Sequence, residues 1–203
     1  MTPDYWDEAK AHLSVVDPLM ADLIERYEDP PLRSRGRLFE TLVHAIIGQQ
    51  ISAQAAGAVW GRFLQVVGDV EPENILAVST EELREAGLSG RKVEYIQGLA
   101  GDAEWLVSKP WSEMNNEEIQ RSLCGLRGIG PWTAEMAMIF SLLRPDVFPL
   151  GDIGVVRSIE RHYANGARLT HPELEVFAAP WRPYRTVAVW YLWRSLDPEP
   201  VEY

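Results

Sequence analysis

The loop around Gly128 and Gly130 has the composition of an anion-binding turn. It lies in the segment Leu123-Cys-Gly-Leu-Arg-Gly-Ile-Gly-Pro-Trp-Thr-Ala134, where one predicted helix ends and Pro131 opens the next. Glycines adopt backbone angles closed to other residues and leave no side chain in the way. The N–H groups of the loop and of the next helix can therefore converge on one phosphate. The alternative is a helix–helix turn in which glycine serves only as a cap.

A single carboxylate downstream could do chemistry at a fixed position. Asp152 ends the Gly/Pro-rich part of Val147-Phe-Pro-Leu-Gly-Asp-Ile-Gly-Val-Val156 and directly precedes a predicted helix. At such a place a carboxylate accepts backbone N–H groups, and the helix dipole stabilises its negative charge. Asp152 is then a plain helix cap, a fixed anion that serves a reaction, or both.

Composition excludes several classes of protein. The 203 residues are 46% hydrophobic and 24% charged, which is typical of a globular chain. Cys124 is the single cysteine, which excludes a disulfide, a four-cysteine zinc site and an iron–sulfur cluster within these residues. The polar, acidic start lacks a secretory signal, and the uncharged run Thr41–Gly61 contains too many polar residues for a membrane span. We expect a cytoplasmic protein, nucleoid-associated in a prokaryote, with no membrane partner.

The charge distribution bears on nucleic-acid binding. The formal net charge of −11 argues against it, because phosphate contacts call for Lys and Arg. However, acidic residues predominate in residues 1–31 and 69–85, whereas arginines outnumber acids between Arg121 and Arg168. Since salt limits the reach of each charge to about 10 Å, an acidic chain can still present one basic face.

Apolar spacing predicts helices nearly throughout, with roughly ten of them and no strands. One helix is predicted over residues 4–28, ended by Pro30-Pro31. Ser79 and Asn115 have the capping-box pattern, each with Glu three residues later, and Ser89 caps a further helix. Further helices are predicted at 131–143, 153–163, 171–178 and 183–195. The sequence therefore predicts an all-α fold.

The glycine loop resembles the helix–hairpin–helix DNA-binding motif, Leu-x-x-Leu-x-Gly-Ile-Gly-x-x-Thr-Ala, here at about residues 115–143. The resemblance implies that the hairpin binds a DNA backbone. It also implies a Na⁺ or K⁺ ion held by the main-chain carbonyls of Cys124, Leu126 and Ile129.

A hairpin followed by a Gly/Pro loop and an Asp resembles the helix–hairpin–helix–Gly/Pro–Asp superfamily of DNA glycosylases, and Asp152 lies 20 residues after Trp132. The resemblance implies the endonuclease III-like fold of two helical lobes flanking a DNA-binding cleft, without an N-terminal β-domain. One lobe would combine residues 1–37 and 144–203, and the other would span 38–143. Three other stretches resemble the 3-methyladenine DNA glycosylase II family: Ile46-Ile-Gly-Gln-Gln-Ile-Ser52, Gly87-Leu-Ser-Gly-Arg-Lys-Val-Glu-Tyr-Ile96 and Trp181-Arg-Pro-Tyr-Arg-Thr-Val-Ala-x-x-Tyr-Leu-Trp193.

The resemblance implies a glycosylase of base excision repair that acts as a monomer on double-stranded DNA with alkylated bases, such as 3-methyladenine and 7-methylguanine. Asp152 would stabilise the sugar cation and direct water, leaving an abasic site. Relatives that also cleave the strand carry a Lys in the hairpin, where this chain has Trp132. We therefore expect a monofunctional enzyme that needs no catalytic cofactor.

Residues near these motifs are candidates for binding the base and the DNA. Trp132 and Trp193 would wall a base pocket, with Trp190 as a weaker candidate; each could instead be core. Met136 occupies a position where a related enzyme has an aromatic, and Gln50 one where relatives place a wedge that fills the vacated stack. Arg185 could contact phosphate or tie the C-terminal helix to the preceding loop. DNA contacts are expected from the hairpin, from the turn near Gln50 and from a helix start that could equally be a solvated face: Arg127, Gly128, Ile129, Gly130, Thr133, Gln49, Gln50, Ser52, Arg91 and Lys92.

Three other functions are compatible with the sequence. A non-enzymatic hairpin module that binds DNA structure would share Gly128 and Gly130 but would need no Asp152. A helical interaction protein without a DNA role would be compatible with the net charge. A glycosylase for a mismatched or deaminated base would keep the chemistry but change the substrate.

Overall fold

The structure, a computed structural model, describes residues 1–27, 30–34 and 36–197. These residues form α-helices joined by short loops and contain no strand, so the predicted all-α fold is confirmed. The parts of the predicted terminal lobe at residues 28–29, 35 and 198–203 lie outside the described residues. The helices are α1 (Trp6–Val16), α2 (Pro18–Arg26), α3 (Leu38–Gly48), α4 (Ala53–Val67), α5 (Pro72–Ala77), α6 (Thr80–Glu85), α7 (Gly90–Gly101), α8 (Ala103–Ser108), α9 (Asn116–Cys124), α10 (Pro131–Phe140), α11 (Ile153–Tyr163), α12 (His171–Ala178), a 3-10 helix (Ala179–Trp181) and α13 (Arg185–Leu196).

The chain divides into two compact units. One combines Met1–Arg35 with Leu143–Glu202 and will be called the terminal unit; the other is Gly36–Leu142 and will be called the hairpin unit. Among the described residues, no helix is both long and apolar enough to cross a membrane. The arrangement of two lobes around a cleft stays a prediction.

The predicted single helix over residues 4–28 is wrong, because the chain turns at Asp17. Asp17 has an extended backbone (φ −146°, ψ 109°), and its side chain accepts the N–H groups of Leu19 and Met20. Pro18 cannot continue α1, since it lacks an N–H, but it fits the first position of α2. The apolar spacing runs through this junction, so it gave no sign of two helices.

The predicted helix caps are confirmed. Ser79 and Asn115 each form a reciprocal capping box with the Glu three residues later, and the hydroxyl of Ser89 accepts the N–H of Lys92. The predicted end of α10 near Leu143 is wrong: the helix ends at Phe140. Leu143 has a left-handed backbone (φ 50°), through which a right-handed helix cannot continue.

The hairpin unit is organised by the packing of α10 on α3. α3 buries an apolar face that includes Leu42, Val43 and Ile46, and α10 is buried from Thr133 to its end except at Glu135. Each fully buried aliphatic side chain of this size contributes about 1.5–3 kcal/mol. The N-terminus of α10, where the glycine loop joins it, is therefore attached to a buried and well-packed helix.

In the terminal unit, α13 is buried along almost its whole length and packs against α11. Arg185 donates through Nε and a terminal nitrogen to the two oxygens of Asp146, at 2.5 and 3.1 Å. Thr186 donates its hydroxyl to the carbonyl of Arg144 and accepts the N–H of Val147. Arg185 thus ties α13 to the loop that leads to Asp152, one of the two roles expected for it.

The junction at Asp17 is also a buried polar centre. Its Oδ2 accepts the hydroxyl of Tyr163 at 2.7 Å and the indole N–H of Trp181 at 2.8 Å. Burial, and next the hydrogen bond to Asp17, raise the pKa of Tyr163, so this hydroxyl stays protonated and donates. One carboxylate therefore joins the first two helices to α11 and to the 3-10 helix.

We expect Asp17→Ala to lower the free energy of unfolding by about 3–5 kcal/mol, because it removes a helix cap and leaves the half-buried Tyr163 hydroxyl and the buried Trp181 N–H without this acceptor. Ser79→Ala, which removes only an exposed cap, should cost about 1 kcal/mol. Urea denaturation followed by circular dichroism measures both variants. Equal losses would contradict the role given to the buried network.

Candidate nucleic-acid interface and carboxylate site

The glycine loop is the predicted helix–hairpin–helix turn. α9 ends at Cys124, α10 begins at Pro131, and within the loop the N–H of Ile129 donates to the carbonyl of Leu126 at 3.2 Å. Ile129 is buried, so its side chain anchors the loop to the hairpin unit. Any DNA contact by Ile129 would therefore come from its main chain.

Position 128 requires glycine because of its backbone conformation and because of the neighbouring Tyr95. Its φ is 89°, and a Cβ placed there would lie 2.2 Å from Cγ of Tyr95. Tyr95 belongs to α7, so the close approach presses the loop backbone against a neighbouring helix. A residue with a side chain would have to shift the loop away from Tyr95.

Gly130 differs from Gly128 in its backbone conformation. Its φ of −96° and ψ of 177° are open to any residue. A Cβ there would meet no atom within 4 Å, so the backbone of Gly130 faces open space. Such a glycine allows a ligand to approach the main chain closely at the N-terminus of α10, where helix amides favour an anion.

Gln49 ties the end of α3 to the hairpin. Its Nε2 donates to the carbonyl of Gly128 at 2.9 Å and to the hydroxyl of Thr133 at 3.0 Å. Thr133 is buried, so its hydroxyl serves this internal bond. The structure thus brings together Gln49, Gly128 and Thr133, three of the residues predicted to bind DNA. The side chains of Gln49 and Thr133 bond to each other within the protein.

Lys92 also bonds inward. Its ammonium donates to the carbonyls of Ile47 and Gln49, at 2.7 and 2.9 Å, and so caps the C-terminal end of α3. Burial lowers the pKa of Lys92. Its neighbour Arg91, at the start of the same helix, is exposed. Whether either side chain contacts phosphate stays a prediction.

Gln50 follows in an unusual conformation. It is exposed, and its φ of 60° is left-handed, which is uncommon for a residue other than Gly, Asn or Asp. Ser52 ends this turn and caps α4, since its hydroxyl accepts the N–H of Ala55. A non-glycine residue held at positive φ costs on the order of 1–3 kcal/mol and is often found at ligand sites.

Arg127 supplies an exposed positive charge beside the hairpin glycines. It pairs with Glu94 at 2.6 Å, and the two side chains are 73% and 49% exposed. Exposed pairs of this kind contribute about 0–1 kcal/mol, so a phosphate can replace the carboxylate at little cost.

The carbonyls predicted to hold a monovalent cation fit that chemistry. Oxygen ligands suit Na⁺ and K⁺, and a carbonyl such as that of Leu126, which accepts one N–H, keeps a second lone pair. Cys124 is the last residue of α9, where carbonyls lack partners inside the helix. Across the described part of the chain, no group of three His, Cys, Asp or Glu side chains is arranged to hold a metal ion.

Asp152 is the N-cap of α11, as predicted. Its Oδ1 accepts the N–H of Val155 and the indole N–H of Trp193, both at 2.9 Å. Gly154 makes this possible, because a Cβ there would lie 3.0 Å from Oδ1 and 3.1 Å from the Trp193 ring. The half-buried carboxylate is thus fixed by a helix amide and by α13.

The other predicted pocket residues fall into two groups. Trp132 in the hairpin unit and Trp193 in the terminal unit are half-buried, whereas Met136 and Trp190 are buried, with 1% and 3% of their surface exposed. Trp190 contacts Trp6 edge to face. A base pocket formed by these side chains stays a prediction.

Sequence reasoning missed three contacts that shape the site. These are the hydrogen bond from the indole of Trp193 to Asp152, the hydrogen bond from the side chain of Gln49 to the hairpin, and the packing of the Tyr95 ring against Gly128. A signal was present only for Gln49, which is a polar residue directly after a strongly apolar helix and thus needs a partner.

The described residues form helices, with a glycine hairpin whose backbone is open at Gly130 and a capped carboxylate downstream. The family model of the HhH-GPD superfamily base excision DNA repair protein matches residues 43–183. The chain belongs to the HhH-GPD superfamily of base excision DNA repair proteins.

Individual relatives agree with this assignment. DNA-3-methyladenine glycosylase 1 of Schizosaccharomyces pombe is 31% identical over 93% of this chain and 86% of its own length. YfjP of Bacillus subtilis is 31% identical over 88% of this chain, which spans only 66% of that protein. Among solved structures, the S. pombe 3-methyladenine DNA glycosylase Mag1 in complex with abasic DNA has a TM-score of 0.82 at 30% identity, covering 93% of this chain and 96% of Mag1.

Replacing each hairpin glycine by Ala distinguishes the glycine that shapes the loop from the glycine that leaves its backbone open to a ligand. Gly128→Ala should cost about 2–4 kcal/mol of unfolding free energy, because it combines a strained φ with overlap with Tyr95. Gly130→Ala should cost less than about 1 kcal/mol, yet weaken binding to duplex DNA through the added methyl group. Urea denaturation and fluorescence titration with labelled duplex measure the pair. A Gly128→Ala protein as stable as wild type would contradict the packing argument.

Proposed function

We propose that this protein is a monofunctional DNA glycosylase of base excision repair, which releases alkylated bases such as 3-methyladenine and 7-methylguanine and leaves an abasic site. The observation that carries the proposal is the fixed carboxylate of Asp152 in a chain of the HhH-GPD superfamily. The names of the relatives, and the abasic DNA bound to Mag1, support the substrate class.

In the proposed reaction, Asp152 would stabilise the sugar cation. An alkylated purine with a quaternised ring nitrogen is already positively charged, so it leaves without a strong general acid. Its departure creates an oxocarbenium-like sugar, as in glycoside hydrolysis. A nearby carboxylate stabilises this cation and orients or deprotonates the attacking water.

Trp193 supports this role by fixing the carboxylate. The indole N–H and the Val155 N–H both donate to Oδ1, so rotation of the carboxyl group would break two hydrogen bonds. A preorganised anion stabilises a developing cation without reorganising during the reaction. The indole ring beside the carboxylate also provides an aromatic surface for an electron-deficient base.

The hairpin unit provides the proposed DNA-binding surface. Backbone amides around Gly130 and the N-terminus of α10 would bind phosphate, with Arg127 and Arg91 as exposed cations. A monovalent cation on the Cys124, Leu126 and Ile129 carbonyls would add positive charge there. Gln50 is the candidate to occupy the space of the flipped base and to hydrogen-bond its former partner.

Strand cleavage is not part of the proposed activity. It would need an amine that forms a Schiff base with the sugar. The lysines of the chain are Lys10, Lys92 and Lys109, none of which lies between the hairpin and Asp152. Lys92 is engaged with the end of α3.

Asp152→Asn tests the proposal. We expect it to slow the release of methylated bases by about 10²–10⁴-fold, the usual contribution of a positioned base, while DNA binding persists. Single-turnover assays on methylated duplex, with chromatography of the freed bases, measure the rate. Asp102→Asn, at an exposed helix end where the side chain caps nothing, is the matched control and should keep the wild-type rate.

The same assays distinguish the alternatives. Near-full activity of Asp152→Asn would remove this residue from the mechanism. Duplex binding without base release from any damaged substrate would favour a non-enzymatic hairpin module. Release of a deaminated or mismatched base alone would change the substrate. The absence of binding at low salt would favour an interaction protein, and strand breaks formed without alkali would contradict the monofunctional assignment.

Trp193→Phe tests the positioning of the carboxylate. The variant keeps an aromatic ring but loses one hydrogen bond to a charged group, typically about 1.5–3 kcal/mol, so base release should slow by about 10–100-fold. Affinity for duplex DNA should stay the same. The control is Trp111→Phe, which removes an indole N–H bonded to a carbonyl of the hairpin unit and should leave the rate unaltered. An equal loss in both variants would indicate a general effect on folding.

A further inference from the structure

Lys92 bonds to the end of a helix rather than to solvent. Helix C-termini have carbonyls without intrahelical partners and a partial negative charge, and both are satisfied when an ammonium donates to them. Lys92 donates to the carbonyls of Ile47 and Gln49, although it is 45 and 43 residues away in sequence. This bond joins the first turn of α7 to the last turn of α3.

The capped turn carries two further features of the proposed interface. Gln49, whose carbonyl accepts from Lys92, uses its side chain to hold the carbonyl of Gly128 in the hairpin. The next residue, Gln50, is exposed and is held at a φ of 60°. A strained residue keeps such a conformation only when its surroundings fix it. Lys92 bonds to the carbonyl of Gln49, which directly precedes Gln50.

We propose that Lys92 is a positioning residue of the DNA interface, which fixes the turn of Gln50 and, through Gln49, the hairpin. For its effect on base release the proposal rests on the proposed function. It replaces the expectation that Lys92 contacts a phosphate. Two of the three N–H groups of the ammonium already bond to main-chain carbonyls, so at most one N–H is left for a phosphate. The exposed Arg91 is the better phosphate ligand.

Amide hydrogen exchange tests the positioning without any assay of activity. In Lys92→Met, the amides of Gln49 and Ile51, which bond within this turn, should exchange at least about tenfold faster than in wild type. The amides of Val93 and Ile96 in α7 should not change. Lys10→Met, which removes a positive charge in the terminal unit, is the control. Unchanged exchange of Gln49 and Ile51 would overturn the proposal.

Salt dependence separates positioning from phosphate contact. Log affinity falls linearly with log salt. The magnitude of this negative slope should decrease by about 0.9 in Arg91→Met, if Arg91 neutralises one phosphate, and should be unchanged in Lys92→Met. A reduced slope in Lys92→Met would overturn the proposal in favour of a direct contact. If Lys92→Met does not fold, Lys92→Gln, which keeps an N–H donor, is measured in its place.

A double-mutant cycle tests the route through Gln50. Lys92→Met should slow base release on the order of tenfold in the wild-type background, and by clearly less in Gln50→Ala, because coupled residues are non-additive. Additive losses would overturn the route through Gln50. If the wild-type protein releases no base, the proposed function fails, whereas the hydrogen-exchange result still decides whether Lys92 fixes the turn.

Discussion

The carboxylate of Asp152 is held at one oxygen by a helix amide and by the indole of Trp193, and the proposed chemistry depends on this fixation. A carboxylate stabilises a short-lived sugar cation effectively only if it is in place before the cation forms. The surrounding structure serves this requirement. α11 supplies the amide, α13 supplies the indole, and Arg185 anchors the loop before Asp152 through Asp146.

The acidic composition is compatible with DNA binding because the proposed interface uses few charged side chains. A hairpin binds phosphate with backbone dipoles, whose number does not depend on the net charge of −11. The structure shows how the backbone becomes accessible. Gly128 packs tightly against Tyr95, whereas the surroundings of Gly130 are open. One glycine thus shapes the loop, and the other leaves its main chain exposed to a ligand.

Sequence patterns correctly predicted the features that depend only on residues close together in the chain. Caps at Ser79 and Asn115, the hairpin between α9 and α10, and the N-cap at Asp152 all depend on residues a few positions apart. Contacts between distant segments could not be predicted from one sequence. The bond from Gln49 to Gly128 spans 79 residues, and the bond from Trp193 to Asp152 spans 41. The junction at Asp17 was missed because apolar spacing continues across it.

Polar residues near a ligand-binding hairpin can either contact the ligand or hold the hairpin backbone in place. Gln49, Thr133 and Lys92 all carry groups that could bind a phosphate, yet each bonds to another part of the hairpin unit. A loop that binds phosphate through its backbone must be rigid, because a small displacement misaligns several N–H donors at once. On the proposed function, side chains that hold the backbone in place would contribute to binding indirectly, by keeping these donors aligned. Resemblance to a motif identifies residues that hold the loop as well as residues that contact the ligand. Only their hydrogen-bond partners in the structure distinguish the two groups.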